Sequence, residues 1–487
     1  MEEEGSAFTA AAAAAAVPLL SYSNGSHHRK LNPSSAAAPP PPSLSVFLSE
    51  VWVETKLIWY IAGPTILTAL LQFFLTFITQ TFVGHLGTLP LAAVGIQTMV
   101  IGGIGFGILM GMGSALETFC GQAYGAGRLD LMGIYMQRSW VILFGTSLVL
   151  TPAYVFAGPI LRLLGQSDAV AALAGELSLW LLPELFAFAL TFPAQKFLQA
   201  QSKVMPMVWI SLIAVGFHGL MSWVFIFKVG LGLVGAAIIL NLSYWIIAVG
   251  QIVYIVYWCT DAWSGLSWLA FCDLGRFIGI SIASGVMICL EYWTYMVLIL
   301  LAGLLKNAEL QIDAATICMS LEGFVFMIPL SFLAASSVRV SNELGAGRPR
   351  TAKFSVWVMV SMSVIIQITC TVIIILARNH FPLLFTSDKR VIAEVSRLVF
   401  FLSASVLLSS IQPILSGVAI GAGWQTMVAY INIGCYYLIG ITVGCVLGFK
   451  FKLGLQGLWS GVIIGIAVQT LILLVITLRT NWEKQAS

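Results

Sequence analysis

Charge is the scarcest commodity in this sequence. Asp, Glu, Lys and Arg make up 9% of the 487 residues, while hydrophobic residues make up 59%. A soluble globular chain carries roughly a quarter charged residues, so this one has too few ions to face water and must cross a membrane repeatedly. The net charge of +3, spread over the whole length, excludes a nucleic-acid partner. The eight cysteines fall mostly in apolar runs with no C-x-x-C. That excludes a zinc or disulfide framework and leaves them as small buried hydrophobes. The five histidines make no ligand cluster: His27 and His28 lie in the N-terminal stretch, and His85 and His380 near segment ends. His218 stands alone in an apolar run and reads as hydrogen-bonded structure. With no H-E-x-x-H, no G-x-S-x-G and no paired carboxylates, an enzyme has no residues to stand on and no cofactor is implied.

What is present falls into two kinds of material. Residues 1–44 carry an acidic start, an alanine run and the Pro39–Pro42 block. Such low-complexity sequence buries no core and reads as a disordered cytosolic tail. Its acidic start and short, weakly apolar alanine run do not fit a signal peptide. From Lys56 onward twelve apolar segments follow, the first at roughly 57–82 and the last at roughly 454–478, each long enough to cross a bilayer. The break at 261–275, with Asp261, Gly265 and Asp273, lies midway. It reads as a loop between an N-lobe (45–260) and a C-lobe (276–480), with a second cytosolic tail at 481–487. If the N-terminus is cytosolic, about 14 of the 23 Lys and Arg fall inside, a modest positive-inside bias. An even number of crossings then returns the C-terminus to the cytosol.

The two lobes repeat. Gly125-Ala126-Gly127-Arg128 recurs as Gly345-Ala346-Gly347-Arg348, and Leu231-Gly232-Leu233-Val234-Gly235 as Leu453-Gly454-Leu455-Gln456-Gly457. Leu89 to Ala93 is echoed by Leu310 to Ala314, and Met207-Val208 by Met427-Val428. The spacing is about 220–222 residues throughout and spans six helices, so the copies run in the same direction, a parallel repeat about the membrane normal. The expected fold is therefore an all-α polytopic membrane protein of twelve transmembrane helices in two six-helix lobes.

In the second segment Gly103, Gly107 and Gly111 recur every fourth residue, interleaved with Gly105 and Gly113. This ladder contains no nucleotide-binding spacing and follows no strand. Small residues at that interval let helices approach closely, so it reads as a packing face. Between Arg276 and Leu304 the only charged residue is Glu291. A carboxylate at mid-membrane costs roughly 2.5–3.5 kcal/mol on insertion scales, so it tends to face a cavity or take up a proton. Helical spacing puts Ser284 and Tyr295 on its side of the helix. Two readings stand here: a structural acid bonded to a neighbouring helix, or a protonatable site that couples proton flow to another movement. Glu322, about one-third into the eighth segment, is the second candidate. Glu117 reads as a tie at the cytosolic end of the second segment, and the role of Glu184 is open.

These signatures resemble a known family. Glu117-Thr-Phe-Cys-Gly-Gln-Ala-Tyr-Gly-Ala, Phe197-Leu-Gln-Ala-Gln, Arg339-Val-Ser-Asn-Glu-Leu-Gly-Ala-Gly, Leu415-Ser-Gly-Val-Ala and Gly423-Trp424-Gln425 are similar to motifs of the multidrug and toxic compound extrusion (MATE) transporters. Cys289-Leu290-Glu291 with Trp293, and Ala429 to Tyr437, resemble the plant subgroup that includes vacuolar flavonoid transporters. The resemblance covers about 45–480. It implies a V-shaped central cavity, alternating access, and efflux of an organic solute against protons with Glu291 as the coupling acid. It makes Glu117, Gln122, Arg339, Asn342 and Glu343 structural motif residues. Many plant members carry a further acid in helix 10; the matching position here is Ser409, and Glu322 is the residue expected to compensate. Ser284, Tyr292, Trp293, Tyr295, Ser409, Gln412, Tyr436 and Tyr437 are expected in the substrate cavity, the aromatic ones stacking on a planar solute.

The expected protein is thus a proton-coupled antiporter, a monomer in the vacuolar or plasma membrane, the vacuole favoured. Its partners are a small organic substrate, protons and the bilayer. The rival is a lipid or lipid-linked-sugar flippase without proton coupling, which would need a cationic cavity that the few embedded Lys and Arg do not supply. A chain starting near Ser45 should insert and transport like the full sequence, as measured by expression and vesicle uptake. Inserted but inactive protein would refute the dispensable tail.

Overall fold

The computed structural model describes residues 44–302, 304–305, 308–384 and 388–486, so the tail at 1–43 lies outside the described residues. The chain forms two compact units that divide between Leu57 and Ile58. The described part of the first is the opening of helix α1 (Leu44–Gly84), where the Lys56 ammonium sits 5.1 Å over the Trp52 ring. The helix starts well before residue 57, where the apolar run begins, because no glycine or proline interrupts 44–62.

The second unit carries the remaining spans: α2 (Thr88–Gly125), α3 (Leu129–Val155 with Ala157–Leu163), α4 (Asp168–Trp180 with Leu182–Ala200), α5 (Met205–Lys228) and α6 (Gly232–Trp258). After the loop come α7 (Leu274–Ala302), α8 (Ala308–Gly345), α9 (Pro349–Leu376), α10 (Lys389–Ala422), α11 (Gln425–Lys450) and α12 (Gly454–Arg479). Among the described residues ten helices are long and apolar enough to cross a membrane alone; α3 and α4 are pairs bent by 63° and 50°, and with each pair taken as one span there are twelve. The α4 bend falls at Leu181, before Pro183, which lacks the N–H that would continue the ladder. Outside the membrane, Asp388 caps α10 by accepting the Arg390 N–H at 2.8 Å. The Arg390 guanidinium holds that carboxyl below the usual carboxylate range.

The sequence repeat is written into the backbone. After α2, Ala126, Gly127 and Arg128 N–H groups donate to Gln122, Tyr124 and Ala123 carbonyls at 2.9, 3.0 and 2.8 Å. After α8, Ala346, Gly347 and Arg348 repeat this on Asn342, Leu344 and Glu343 at 3.0, 3.0 and 2.8 Å. Gly127 and Gly347 both turn the chain at positive φ, +71° and +69°, where an L side chain would strain the backbone. The turns after α5 and α11 match as well, each following a π-helical end, Val224–Lys228 and Val446–Lys450. Gly230, Gly232 and Gly235 in the first of these fall at G-x-G-x-x-G spacing. They follow a helix rather than a strand, so the phosphate cradle that spacing can build is absent.

The ends of α2 and α8 cross with almost no side chain between them. A Cβ on Gly125 would overlap the Asn342 carbonyl oxygen, and one on Gly345 the Gln122 carbonyl oxygen. Gln122 and Asn342 are equivalent in the repeat, as are Gly125 and Gly345, so the crossing is symmetric with itself. The same pair reaches further: Gln122 Nε2 donates to the Gly421 carbonyl (3.3 Å) and Asn342 Nδ2 to the Ala200 carbonyl (3.1 Å). Thr118 adds a bond to the Ile420 carbonyl, and Gln425 Nε2 one to Thr118 at 2.7 Å. Three ion pairs on two buried acids brace this end. Lys196 bonds the buried Glu117, and Glu343 takes Arg339 at 2.9 Å and Arg348 at 2.8 Å. The five motif residues thus share one interlock of α2, α4, α8 and α10.

The glycine ladder is a packing face. Met296, Cys289 and Gly285 of α7 lie against Gly103, Gly107 and Gly111, and a Cβ on Gly111 would come 2.8 Å from Gly285 Cα. On the other side of α2, Gly105 meets Tyr154 and Leu185, and Gly113 meets Phe192. His218 is fully buried between Thr79 and Ser243, 2.9 Å from each. The 261–275 loop is pinned to α3: the Gln137 amide donates to the Gly265 carbonyl (2.9 Å) and accepts from Ser267 N–H (2.8 Å). Arg138 adds two bonds to the Leu269 carbonyl at 3.3 Å. Gly345→Ala forces the crossing backbones apart and should lower stability by about 1–3 kcal/mol. Gly279→Ala, which meets nothing within 4 Å, is the control. Thermal unfolding of both variants in detergent reads the difference.

Candidate functional site

Glu291 is the only acid in α7 and is half-buried there. Its Oε1 accepts from Gln412 Nε2 at 3.0 Å, Ser416 Oγ at 3.4 Å and Asn432 Nδ2 at 3.4 Å. Gln412 and Ser416 are one turn apart on α10, and Asn432 and Tyr436 one turn apart on α11, so each helix offers two groups on one face. Behind them, Tyr436 O–H donates to Gln469 Oε1 of α12 at 2.6 Å, and Gln469 Nε2 donates to Asn432 Oδ1 at 2.8 Å. The chain Tyr436–Gln469–Asn432–Glu291 points every donor toward the carboxylate, and Gln412 Nε2 closes it on Tyr436 at 3.5 Å. Bonds aligned in one direction polarise one another in a low-dielectric interior.

Only neutral dipoles answer this charge; among the described residues no Lys or Arg pairs with Glu291. A carboxylate held by a cation inside a protein stays ionised. One held by amides and hydroxyls can exist in both protonation states without leaving a buried cation behind.

Two irregularities aim these side chains. α10 breaks at Ser409–Ile411 and restarts at Gln412, with Pro413 in the first turn, where its missing N–H costs nothing. The break delivers Gln412 to Glu291. α11 is π-helical over Ile433–Ile441, the stretch that carries Tyr436 and Tyr437. The repeat spacing is 220 at Met207/Met427 and 222 at Val224/Val446. α11 therefore holds two residues more than α5 over this interval, and the wide turns absorb them beside the carboxylate. Inserted π turns of this kind recur at functional sites.

The residues singled out in the sequence are not all together. Gln412 meets Glu291, Tyr436 reaches it indirectly, through Gln412, and Tyr437 O–H donates to the Leu290 carbonyl at 3.3 Å. Tyr295 turns away, its O–H donating to Glu322 Oε1 at 3.3 Å. Ser284 is buried where α7 meets Gly111, and Tyr292 and Trp293 are exposed, at 41% and 37%. Ser409 Oγ donates to the Ser405 carbonyl (2.9 Å) and lies with Glu322 on a small void. Ser416, Asn432 and Gln469 escape a reading of the sequence that looks for charge. A lone amide or hydroxyl in an apolar span is the same signal that marks Glu291, applied to uncharged groups.

Comparison with known proteins comes from three directions. The MatE family profile matches residues 64–224 and 283–446. Protein DETOXIFICATION 33 of Arabidopsis thaliana is 53% identical over 444 residues, covering 90% of this chain and 92% of the relative. Protein DETOXIFICATION 35 of the same plant is 50% identical over 432 residues, covering 89% of this chain and 88% of the relative. Among solved structures, the eukaryotic MATE transporter AtDTX14 superposes with a TM-score of 0.86 at 38% identity, covering 90% of this chain and 98% of that one. A point mutant of the Vibrio cholerae MATE transporter VcmN shares the fold at 19% identity, with a TM-score of 0.78 over 90% of this chain and 100% of that one.

Asn432 links the carboxylate to α12, and its removal should show. Asn432→Leu keeps the size but strips a donor from Glu291 and the acceptor from Gln469, at an expected cost of about 1–3 kcal/mol. Tyr437→Phe, which loses one half-buried bond, should cost about 1 kcal/mol or less. Unfolding midpoints of the two variants check the order.

Proposed function

The chain belongs to the multidrug and toxic compound extrusion (MATE) family of transporters, and on that premise we propose that it is a proton-coupled antiporter exporting an organic solute from the cytosol by alternating access. The observation that carries the coupling is Glu291, a carboxylate within a spanning helix answered among the described residues only by neutral donors on α10 and α11.

A proton arriving from the acidic side neutralises the carboxylate. Protonated Glu291 needs an acceptor for its own O–H and offers its donors less negative charge, so Gln412, Ser416 and Asn432 must re-pair. Gln412 stands at the break in α10, and α10 ends in the interlock with α2. Re-pairing at Glu291 thus has a direct mechanical route to the crossing of α2 and α8. In this reading, opening toward the cytosol requires that crossing to part. Proton release on the cytosolic side restores the charge and the original pairing.

For the solute we propose a planar organic molecule, a flavonoid or another secondary metabolite or xenobiotic, moved into the vacuole lumen. The exposed Tyr292 and Trp293, directly after Glu291 in sequence, support an aromatic contact. An uptake screen of flavonoid glycosides, alkaloids and organic acids in acidified vesicles identifies the class. Glu291→Gln preserves size and removes titration, so it should abolish gradient-driven uptake while protein amount stays near normal. Near wild-type accumulation by that variant under a pH gradient would end the proposal.

A further inference from the structure

Beside the Glu291 cluster is a second polar spot that the cycle above does not use. A small void between α8, α9 and α10 is lined by Glu322, Val325 and Phe326, by Gln367, and by Val406 and Ser409. Glu322 is 6% exposed, Gln367 fully buried and Ser409 6% exposed. Glu322 Oε1 accepts from Tyr295, yet Oε2 has no hydrogen-bond partner among the described residues, nor has either amide atom of Gln367. Three partnerless polar atoms in the buried side chains of one void are unusual, because such groups are almost always satisfied.

Their chemistry is complementary. A protonated carboxyl donates its O–H to an amide oxygen and accepts from an amide N–H; an ionised one accepts from the N–H alone. Gln367 can therefore serve Glu322 in either state, which a purely structural partner need not do. A bare metal cation fits poorly: the void offers it one carboxylate, one amide oxygen and one hydroxyl against apolar walls, where hard cations take six or more oxygens. The titratable neighbours are Tyr295 on α7 and Cys318 one turn earlier on α8. Tyr295 follows Glu291 by one turn on the same helix, so the two acids flank one tyrosine.

We propose that Glu322, Gln367 and Ser409 form a second proton site, distinct from the Glu291 cluster and bonded to Tyr295, one turn from Glu291 on α7. This rests on the proton-coupled reading, but its test needs no substrate. Full-length protein in liposomes is titrated from neutral to acidic pH, with the infrared carboxyl C=O stretch followed by difference spectroscopy. Among the carboxyl bands that appear on acidification, one should be lost in Glu291→Gln and another in Glu322→Gln. Gln367→Leu should move only the Glu322 band, to higher frequency, because the protonated acid then has no amide to bond. Glu322→Gln with Ser409→Asp carries the acid to the opposite wall and should restore a titrating band, and this pair keeps the test open if Glu322→Gln alone unfolds. An unchanged spectrum in Glu322→Gln, a Glu322 band that never titrates, or its removal by sodium at fixed pH would overturn the inference and leave the Glu291 reading standing. Absence of a titrating Glu291 band would instead overturn that reading.

Discussion

Backbone lies directly on backbone where Gln122 and Gly125 of α2 meet Asn342 and Gly345 of α8. Everything at that end is arranged to permit it. Two glycines with no side chain are needed at the contact, two more at positive φ turn the chain immediately afterwards, and two amides bridge outward to the ends of α10 and α4. Because the participants exchange under the internal repeat, the contact satisfies both copies of the sequence at once. A duplicated chain can fold only if its two copies tolerate each other at the axis, and here they do so by having almost nothing there.

The repeat governs backbone, and the site departs from it. Hydrogen-bond patterns of the turns after α2 and α8 agree within 0.1 Å. At 222 residues before Gln469 stands Ile247, a buried hydrophobe of α6, and at 220 before Asn432 stands Leu212. Two members of the polar cluster in the last six helices thus stand opposite apolar residues in the first six. The π turns of α11 and the break in α10 belong to the same departure. One copy carries the carboxylate network while the other keeps an aromatic cluster, Phe106 edge-on to the stacked pair Phe188 and Phe192.

Much of this is legible in the residues. Apolar run length marks the spans and spacing marks the repeat, because both are set by the bilayer and by gene-level periodicity rather than by side-chain packing. Glu291 stands out because a charge in hydrocarbon is costly enough to be conspicuous. Its partners do not, since amides and hydroxyls are cheaper to bury and occur singly along many spans. Ser284 has the right helical phase but is buried where its backbone carbonyl approaches Gly111 of α2. α1 begins earlier than its apolar run because hydrophobicity falls off before helical propensity does. Which tyrosine meets which acid depends on crossing angles, and no sequence pattern carries those.

The loop between the two sets of six helices bears on how they could swing. By length it is a tether of about fifteen residues, slack enough for wide excursions if it behaved as a random coil. Gln137 and Arg138 hold its middle against α3, so most of that slack is taken up. What remains is the short stretch into α7, where Asp273 adopts φ +52° directly before the helix. The compliance of the join is concentrated there. A displacement of α7 would therefore bend that short stretch, and its reach would be set by a few residues and not by the whole loop.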